Sequence, residues 1–365
     1  MLEAHVEHDT SVTLHSVAIP KVIEPNDVLI RVVCAACNPK DWKMPAGILK
    51  TIANCPNSGD DLAGIVQEIG SAVTSINPGD RVAALHELGA PYGAYAEFAI
   101  VKDFVCIRLP KDGSISWEQA ATLPMVAFMA CIALFGTLRL SAGPWEQVTR
   151  KTPLLVYGAS SGIGSMAVKL AQIVNVHPVV CVAGRGEHFV NSLINKTMGD
   201  TVLDYRQGDD KLVDEIRAVL GEERLDYAFD AVSEPSSLTN IVKVLNPQGG
   251  KLTLALPGRS KDLPDGLEVF HVMAGSLWKS LVGRDKDEKL GNLGLEEGGP
   301  EFARAMTLSI ESMLADGSLA PHPHIIYADG LEGLEVALKT LKEGTHSASK
   351  LVIRIDATPR LHIEE

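Results

Sequence analysis

The segment Gly158-Ala159-Ser160-Ser161-Gly162-Ile163-Gly164 is where this chain most plainly offers chemistry. Glycines at this spacing permit a tight turn and a close backbone approach to a pyrophosphate. A helix opening at the end of the turn adds unsatisfied N–H groups and the positive end of its dipole. The flanks agree with that use. Pro153-Leu154-Leu155-Val156-Tyr157 reads as a buried strand, Ser165 to Val174 has helical periodicity, and His177 to Val182 is a second strand. That context turns a weak motif into a specific one. Gly158, Ser160, Ser161, Gly162, Ile163 and Gly164 are therefore expected to hold a dinucleotide. The second strand ends Cys181-Val182-Ala183-Gly184-Arg185, without an acid. An Asp or Glu there would bind the ribose hydroxyls of NAD, whereas Arg185 presents a bidentate fork to a 2′-phosphate, so NADPH is the expected cofactor.

The elements around this turn set the fold class. The first third reads as short strands and turns: Asp27 to Val33, Asp61 to Ile69 and Arg81 to Leu85, with Asn77-Pro78-Gly79-Asp80 as turn chemistry between two of them. Ser116 can cap a helix, with Gln119 at the capping-box position. The middle alternates strand and helix, with later strands at Asp226 to Ala231 and Lys251 to Leu256. This is the βαβ rhythm of a parallel sheet covered on both faces. Gly283 to Pro300 reads as an exposed charged loop, Glu301 to Leu314 as an amphipathic helix, and Lys350 to Ile355 as a final strand.

Bulk properties exclude several roles. The chain has 365 residues, enough for two domains, and a formal net charge of −13. Such acidity repels nucleic acid and anionic membranes. The apolar run Leu123 to Leu138 is broken by Pro124 and Gly136 and is too short for a membrane span. Met1 to Thr10 lacks the apolar core of a signal peptide, and six cysteines in a chain this long suggest free thiols and a cytoplasmic protein.

The order and spacing of further short motifs carry a resemblance. They are Asn38-Pro39-Lys40-Asp41-Trp42-Lys43, Gly79-Asp80-Arg81-Val82, Gly93-Ala94-Tyr95-Ala96-Glu97, Ala120-Ala121-Thr122-Leu123-Pro124, the glycine turn, and Lys350-Leu351-Val352. Over nearly its whole length the chain resembles the medium-chain dehydrogenase/reductase superfamily, in its zinc-free quinone-reductase and enoyl-reductase branch. Within that branch it is most similar to the trans-acting enoyl reductases of fungal polyketide biosynthesis, of the lovastatin type. Asp204-Tyr205-Arg206 and Ala315-Asp316-Gly317-Ser318-Leu319 with His322-Pro323 add to the likeness. Short-chain dehydrogenases share the glycine motif but need Tyr-x-x-x-Lys, which this chain lacks.

The resemblance implies an α/β architecture: a GroES-like, mostly-β catalytic domain split around a Rossmann domain with a doubly wound parallel sheet. The expected boundaries are 1–124 and 298–365 for the catalytic domain and 125–297 for the NADPH-binding domain. It implies NADPH-dependent reduction of an α,β-unsaturated carbonyl, on an enoyl thioester tethered to a synthase carrier. A free-standing reductase of small enones or quinones and a non-catalytic NADPH-binding protein are the alternatives. Tyr205 and Arg206 would lie near the 2′-phosphate, with Leu256 and Lys350 also at the cofactor. Lys43 is the candidate donor to the enolate oxygen, helped by backbone near Leu256. Asn38 and Met129 would line the substrate pocket. Where relatives carry a Thr after Leu-Pro, Met129 cannot donate a hydrogen bond.

Zinc-dependent members bind metal through a Cys and a Gly-His-Glu. Here Asn38 and Gly59-Asp60-Asp61 stand at those places, and no cysteine lies between Cys55 and Cys106. No metal is expected, and Cys34-x-x-Cys37, expected to sit within a strand, reads as core thiols. A monomer is expected as well: Pro257, directly after the Lys251 to Leu256 strand, lies near the Rossmann edge through which relatives commonly pair, and the Gly283 to Pro300 loop follows to cover that edge.

Overall fold

The computed structural model describes residues 1–22, 24–47, 55–256, 263–279, 295 and 298–359. The chain forms two compact units, Met1–Met125 with Ala303–Glu365, and Val126–Phe302.

The first unit is built on a seven-stranded sheet. Its path runs His324–Tyr327, Lys350–Arg354, Asp27–Ala36, Asp61–Ile69, Arg81–Leu85 and Cys106–Arg108, while Phe98–Lys102 pairs with Asp27–Ala36 off that path. Both chain ends therefore supply strands to one sheet, which is why the unit is discontinuous in sequence. Asp27–Ala36 is buried at every residue except Arg31, matching its run of Val, Leu and Ile. Its register against Asp61–Ile69 slips between Val32 and Cys34, the mark of a bulge. Val28, Ile30, Leu62, Tyr95 and Leu351 belong to one buried cluster. Just beyond the strand end, the five-residue helix Pro39–Lys43 begins.

The second unit carries a six-stranded sheet in the order Thr201–Asp204, Val179–Ala183, Leu154–Tyr157, Tyr227–Asp230, Lys251–Leu254, Glu268–His271. Every pairing is parallel, and the order reverses at Leu154–Tyr157, as in a doubly wound nucleotide-binding sheet. Helices Gly162–Ile173, Asp209–Leu220 and Pro235–Val244 supply the crossovers. The apolar Leu123 to Leu138 run forms a helix, Pro124–Cys131, that continues as a π-helix over Ile132–Thr137. No helix among the described residues is long and apolar enough to cross a membrane.

Three expectations need correction. The strand Lys251–Leu254 is not the sheet edge, because Glu268–His271 pairs outside it. The edge argument for a monomer therefore loses its premise, and Pro257 itself lies outside the described residues. The C-terminal helix begins at Gly299, not Glu301, so Gly299 and Pro300 are helical; most of the Gly283 to Pro300 loop lies outside the described residues. Pro300 suits a first helical turn, where its missing N–H costs nothing. Finally, Cys37 sits past the end of its strand, whereas Cys34 lies within it.

Candidate active site

The second unit shapes a dinucleotide cradle. Gly158 adopts φ +76°, and a side chain there would strike Val232. At Gly164 a Cβ would come within 2.3 Å of the Gly158 carbonyl oxygen, so the helix can begin this close to the turn only without a side chain. The Ser161 hydroxyl caps the Gly162–Ile173 helix by accepting the Gly164 N–H at 3.0 Å. Helical geometry leaves the amides of Gly162 and Ile163 to an incoming acceptor. Ser160 is half-buried beside them.

Tyr205 and Arg185 come together at the end of the neighbouring strands. Asp204 pairs in register with Ala183, so the two strands end side by side. The Tyr205 ring lies where a Cβ on Gly184 would be, 2.7 Å from that position, and it is half exposed. Arg185 is exposed immediately after. Arg206 follows Tyr205, and its guanidinium pairs with Asp204 through contacts of 2.6–3.0 Å. The amide of Leu256 is likewise engaged, donating to the Ser233 hydroxyl at 3.2 Å, so that N–H is not available to an oxyanion. Met129 is buried within the Pro124–Cys131 helix.

The first unit gathers charges that the motifs had shown only as isolated letters. Asn38 precedes the Pro39–Lys43 helix, and its N–H donates to Asp41 at 2.8 Å. Its side-chain amide donates to Asp61 at 2.9 Å, and Lys350 donates to both Asn38 Oδ1, at 3.1 Å, and Asp61. Asp61 is fully buried and also accepts the Met125 N–H at 2.6 Å. Asn38 and Lys350, expected at substrate and cofactor, are thus members of one buried ion-pair network.

A second network was not foreseen. The Lys40 ammonium lies 2.7 Å from both Asp41 and Asp60 and donates to the Ser58 carbonyl. Asp60 faces His86 at 3.0 Å, whose other ring nitrogen meets the Pro91 carbonyl at 2.9 Å. Asp41 also accepts the Tyr95 hydroxyl at 2.5 Å. Burial opposes charge on Lys40, but Asp41 and Asp60 outweigh it and hold the ammonium above the ordinary lysine value. Burial raises Asp41, while in Asp60 the opposing pull of Lys40 and His86 prevails and lowers it. A signal existed: Asp60-Asp61 opens a strongly apolar strand, and two buried carboxylates require counter-charges.

Lys43 stands apart from these pairs. Its ammonium lies 5.6 Å from the Trp42 ring centroid, and Lys342 approaches the same ring at 5.5 Å. Among the described residues it has no carboxylate partner within ion-pair range, so its charge is unspent.

The donor set does not fit a zinc ion. Asp60 and Asp61 are saturated by Lys40, His86, Asn38 and Lys350, and a fixed ammonium repels a dication. Cys34 and Cys37 are both buried, and burial pushes the Cys37 thiol up to about 12. Among the described residues no group of three His, Cys, Asp or Glu side chains could hold a metal.

Comparison with known proteins agrees with this arrangement of units. Residues 24–111 match the alcohol dehydrogenase GroES-like domain, and residues 162–288 match the family described as zinc-binding dehydrogenase. The trans-enoyl reductase fsr4 of Gibberella fujikuroi is 37% identical over 328 residues, covering 88% of this chain and 89% of that protein. The trans-enoyl reductase FSL5 of Gibberella zeae is 30% identical over 348 residues, covering 93% and 92%. The crystal structure of an alcohol dehydrogenase superfamily protein from Novosphingobium aromaticivorans superposes with TM-score 0.75 at 22% identity, covering 97% and 99%. With identity of this order across almost the full length, the chain belongs to the trans-enoyl reductases, enzymes of the medium-chain dehydrogenase/reductase superfamily that use a nicotinamide cofactor.

Proposed function

We propose that this enoyl reductase uses NADPH, works without a metal, and reduces an α,β-unsaturated thioester held on a carrier domain of a polyketide synthase, acting in trans. The observation that carries the cofactor choice is the end of the Val179–Ala183 strand. Arg185 and the Tyr205 ring flank it, the strand itself ends without an acid, and Asp204 on the neighbouring strand is paired with Arg206. The relatives' printed name, trans-enoyl reductase, supports the substrate class.

Bound NADPH would supply a hydride to the β-carbon of the double bond. The Gly158 to Gly164 turn and the amides of Gly162 and Ile163 would hold the pyrophosphate, with Arg185 and Tyr205 at the adenosine phosphate. Lys43 is assigned to the carbonyl oxygen, where negative charge gathers as the hydride arrives. An ammonium without a carboxylate partner is suited to that task. Asn38 and Lys350 act beneath as the support that fixes the Pro39–Lys43 helix. Met129 offers bulk to the substrate side and no hydrogen bond. The domain limits proposed from the sequence, 1–124 with 298–365 and 125–297, lie close to the compact units Met1–Met125 with Ala303–Glu365 and Val126–Phe302. Six free cysteines suit a reducing, cytoplasmic setting.

The test is NADPH oxidation with three substrates: a carrier-bound enoyl thioester, a small enone and a quinone. Turnover of the thioester at least tenfold above the others supports the proposal. Preference for the enone or quinone points to a free-standing reductase, and no turnover with any of them points to a non-catalytic binder.

A further inference from the structure

Lys40 has no part in the reduction just described, yet its ammonium is caged. The Lys40 side chain is 13% exposed, Asp41 is 0% and Asp60 is 2%. Asp41 Oδ1 and Asp60 Oδ2 each lie 2.7 Å from Lys40 Nζ, and among the described residues neither accepts a hydrogen bond in good geometry. The sister oxygens are occupied: Asp41 Oδ2 by Tyr95 and the Asn38 N–H, Asp60 Oδ1 by His86. With the Ser58 carbonyl, two buried carboxylate oxygens thus form a three-oxygen cage filled by one tethered cation. The ammonium donates to the Ser58 carbonyl and is held by charge between the two carboxylate oxygens. Separations of 2.7 Å are those of an ammonium–carboxylate ion pair, longer than the roughly 2.0–2.2 Å of zinc or magnesium to oxygen.

We propose that Lys40 is the chain's built-in cation: a positioning residue that does the structural work of a bound ion. It joins Asp41, on the short helix that carries Lys43, to Asp60, at the mouth of the next strand. Without it, two carboxylates would face each other in a buried space, a repulsion that water does not screen. The bond is a charge requirement rather than a packing one. A free ammonium of the right size should therefore replace the side chain, whereas a neutral molecule of the same shape should not.

The experiment uses the full chain with Lys40→Ala, Lys40→Met, and Lys40→Met combined with Asp60→Asn. Melting is followed without NADPH or substrate, so the outcome does not depend on the enoyl-reductase reading. Lys40→Ala should melt lower by more than about 5 °C, as expected when a buried carboxylate loses its partner. Propylammonium chloride should restore at least half of that loss, and propan-1-ol at the same concentration should restore none. Turnover of an enone should recover in parallel. Lys40→Met should stay low although it fills the cage, and adding Asp60→Asn should raise it again. Equal rescue by propan-1-ol, or native melting of Lys40→Met, overturns the proposal. If Lys40→Ala yields no folded protein, the two Met variants decide: recovery by Asp60→Asn supports a charge role, and no recovery overturns it.

Discussion

Replacing Lys350 with Met separates two jobs that the side chain could hold, cofactor contact and counter-ion. Lys350 is buried and paired with the fully buried Asp61. Removing one member of a buried pair typically costs about 3–5 kcal/mol, because the remaining charge is stranded. Asp61 would keep two donors, the Asn38 amide at 2.9 Å and the Met125 N–H at 2.6 Å, which argues for the lower end, about 3 kcal/mol. In a unit of this size each kcal/mol shifts the midpoint by roughly 2–4 °C, so melting should fall by about 6–12 °C. Circular dichroism at pH 7 measures that loss, and NADPH fluorescence titration measures cofactor affinity on the same sample. Adding Asp61→Asn removes the stranded charge and should recover about half of the loss or more, a coupling that only a direct pair gives. The reasoning fails if Lys350→Met melts within roughly 2 °C of the native protein while NADPH affinity drops tenfold or more. Lys350 would then be a cofactor ligand whose pairing with Asp61 matters little.

Lys43→Ala should lower turnover by about 10²–10³-fold with little change in NADPH affinity, since the interaction grows as enolate charge develops; steady-state kinetics within twofold of native would remove Lys43 from the mechanism. Arg185→Ala should shrink the NADPH-over-NADH affinity ratio by about tenfold in titration calorimetry, and equal native affinity for both cofactors would sink the assignment. Exhaustive chelation should change neither activity nor melting, a reading that stoichiometric zinc in elemental analysis would contradict. Lys169, on the Gly162–Ile173 helix, has its pKa pulled by burial from 10.5 down to about 8. A lysine whose folded pKa is depressed imposes a penalty that is complete below about 8 and gone above 10.5, where both states are neutral. Lys169→Met should therefore melt above the native protein at pH 7, with the advantage vanishing by pH 10.5; an advantage constant with pH would show that packing, not charge, is responsible.

What the sequence made legible, and what it hid, follow from the range of the interactions involved. The glycine turn was readable because each of its requirements is local: a positive φ at Gly158, a bare Cα at Gly164 and a cap at Ser161 lie within seven residues between a strand and a helix. The capping box at Ser116 and Gln119 was readable for the same reason. The sheet edge was misplaced because a short strand, Glu268–His271, carries too few residues to show a period, and only its pairing with Lys251–Leu254 makes it a strand. Lys40 was invisible for a different reason. Lysine ordinarily keeps its head in water, and nothing in Asn38-Pro39-Lys40-Asp41 as letters says otherwise. Its burial depends on Asp60, 20 residues away in sequence, and on His86, a further 26 residues on. Residue type alone cannot report such a closure. The same limit applies to Arg206 and Leu256, whose groups look free as letters but are bonded to Asp204 and Ser233 in the fold. A functional assignment from motif spacing therefore stands on whether the donor is still unspent once the chain has folded. By that criterion Lys43, beside Trp42 and without a carboxylate partner among the described residues, is a stronger candidate for the oxyanion than the amide of Leu256.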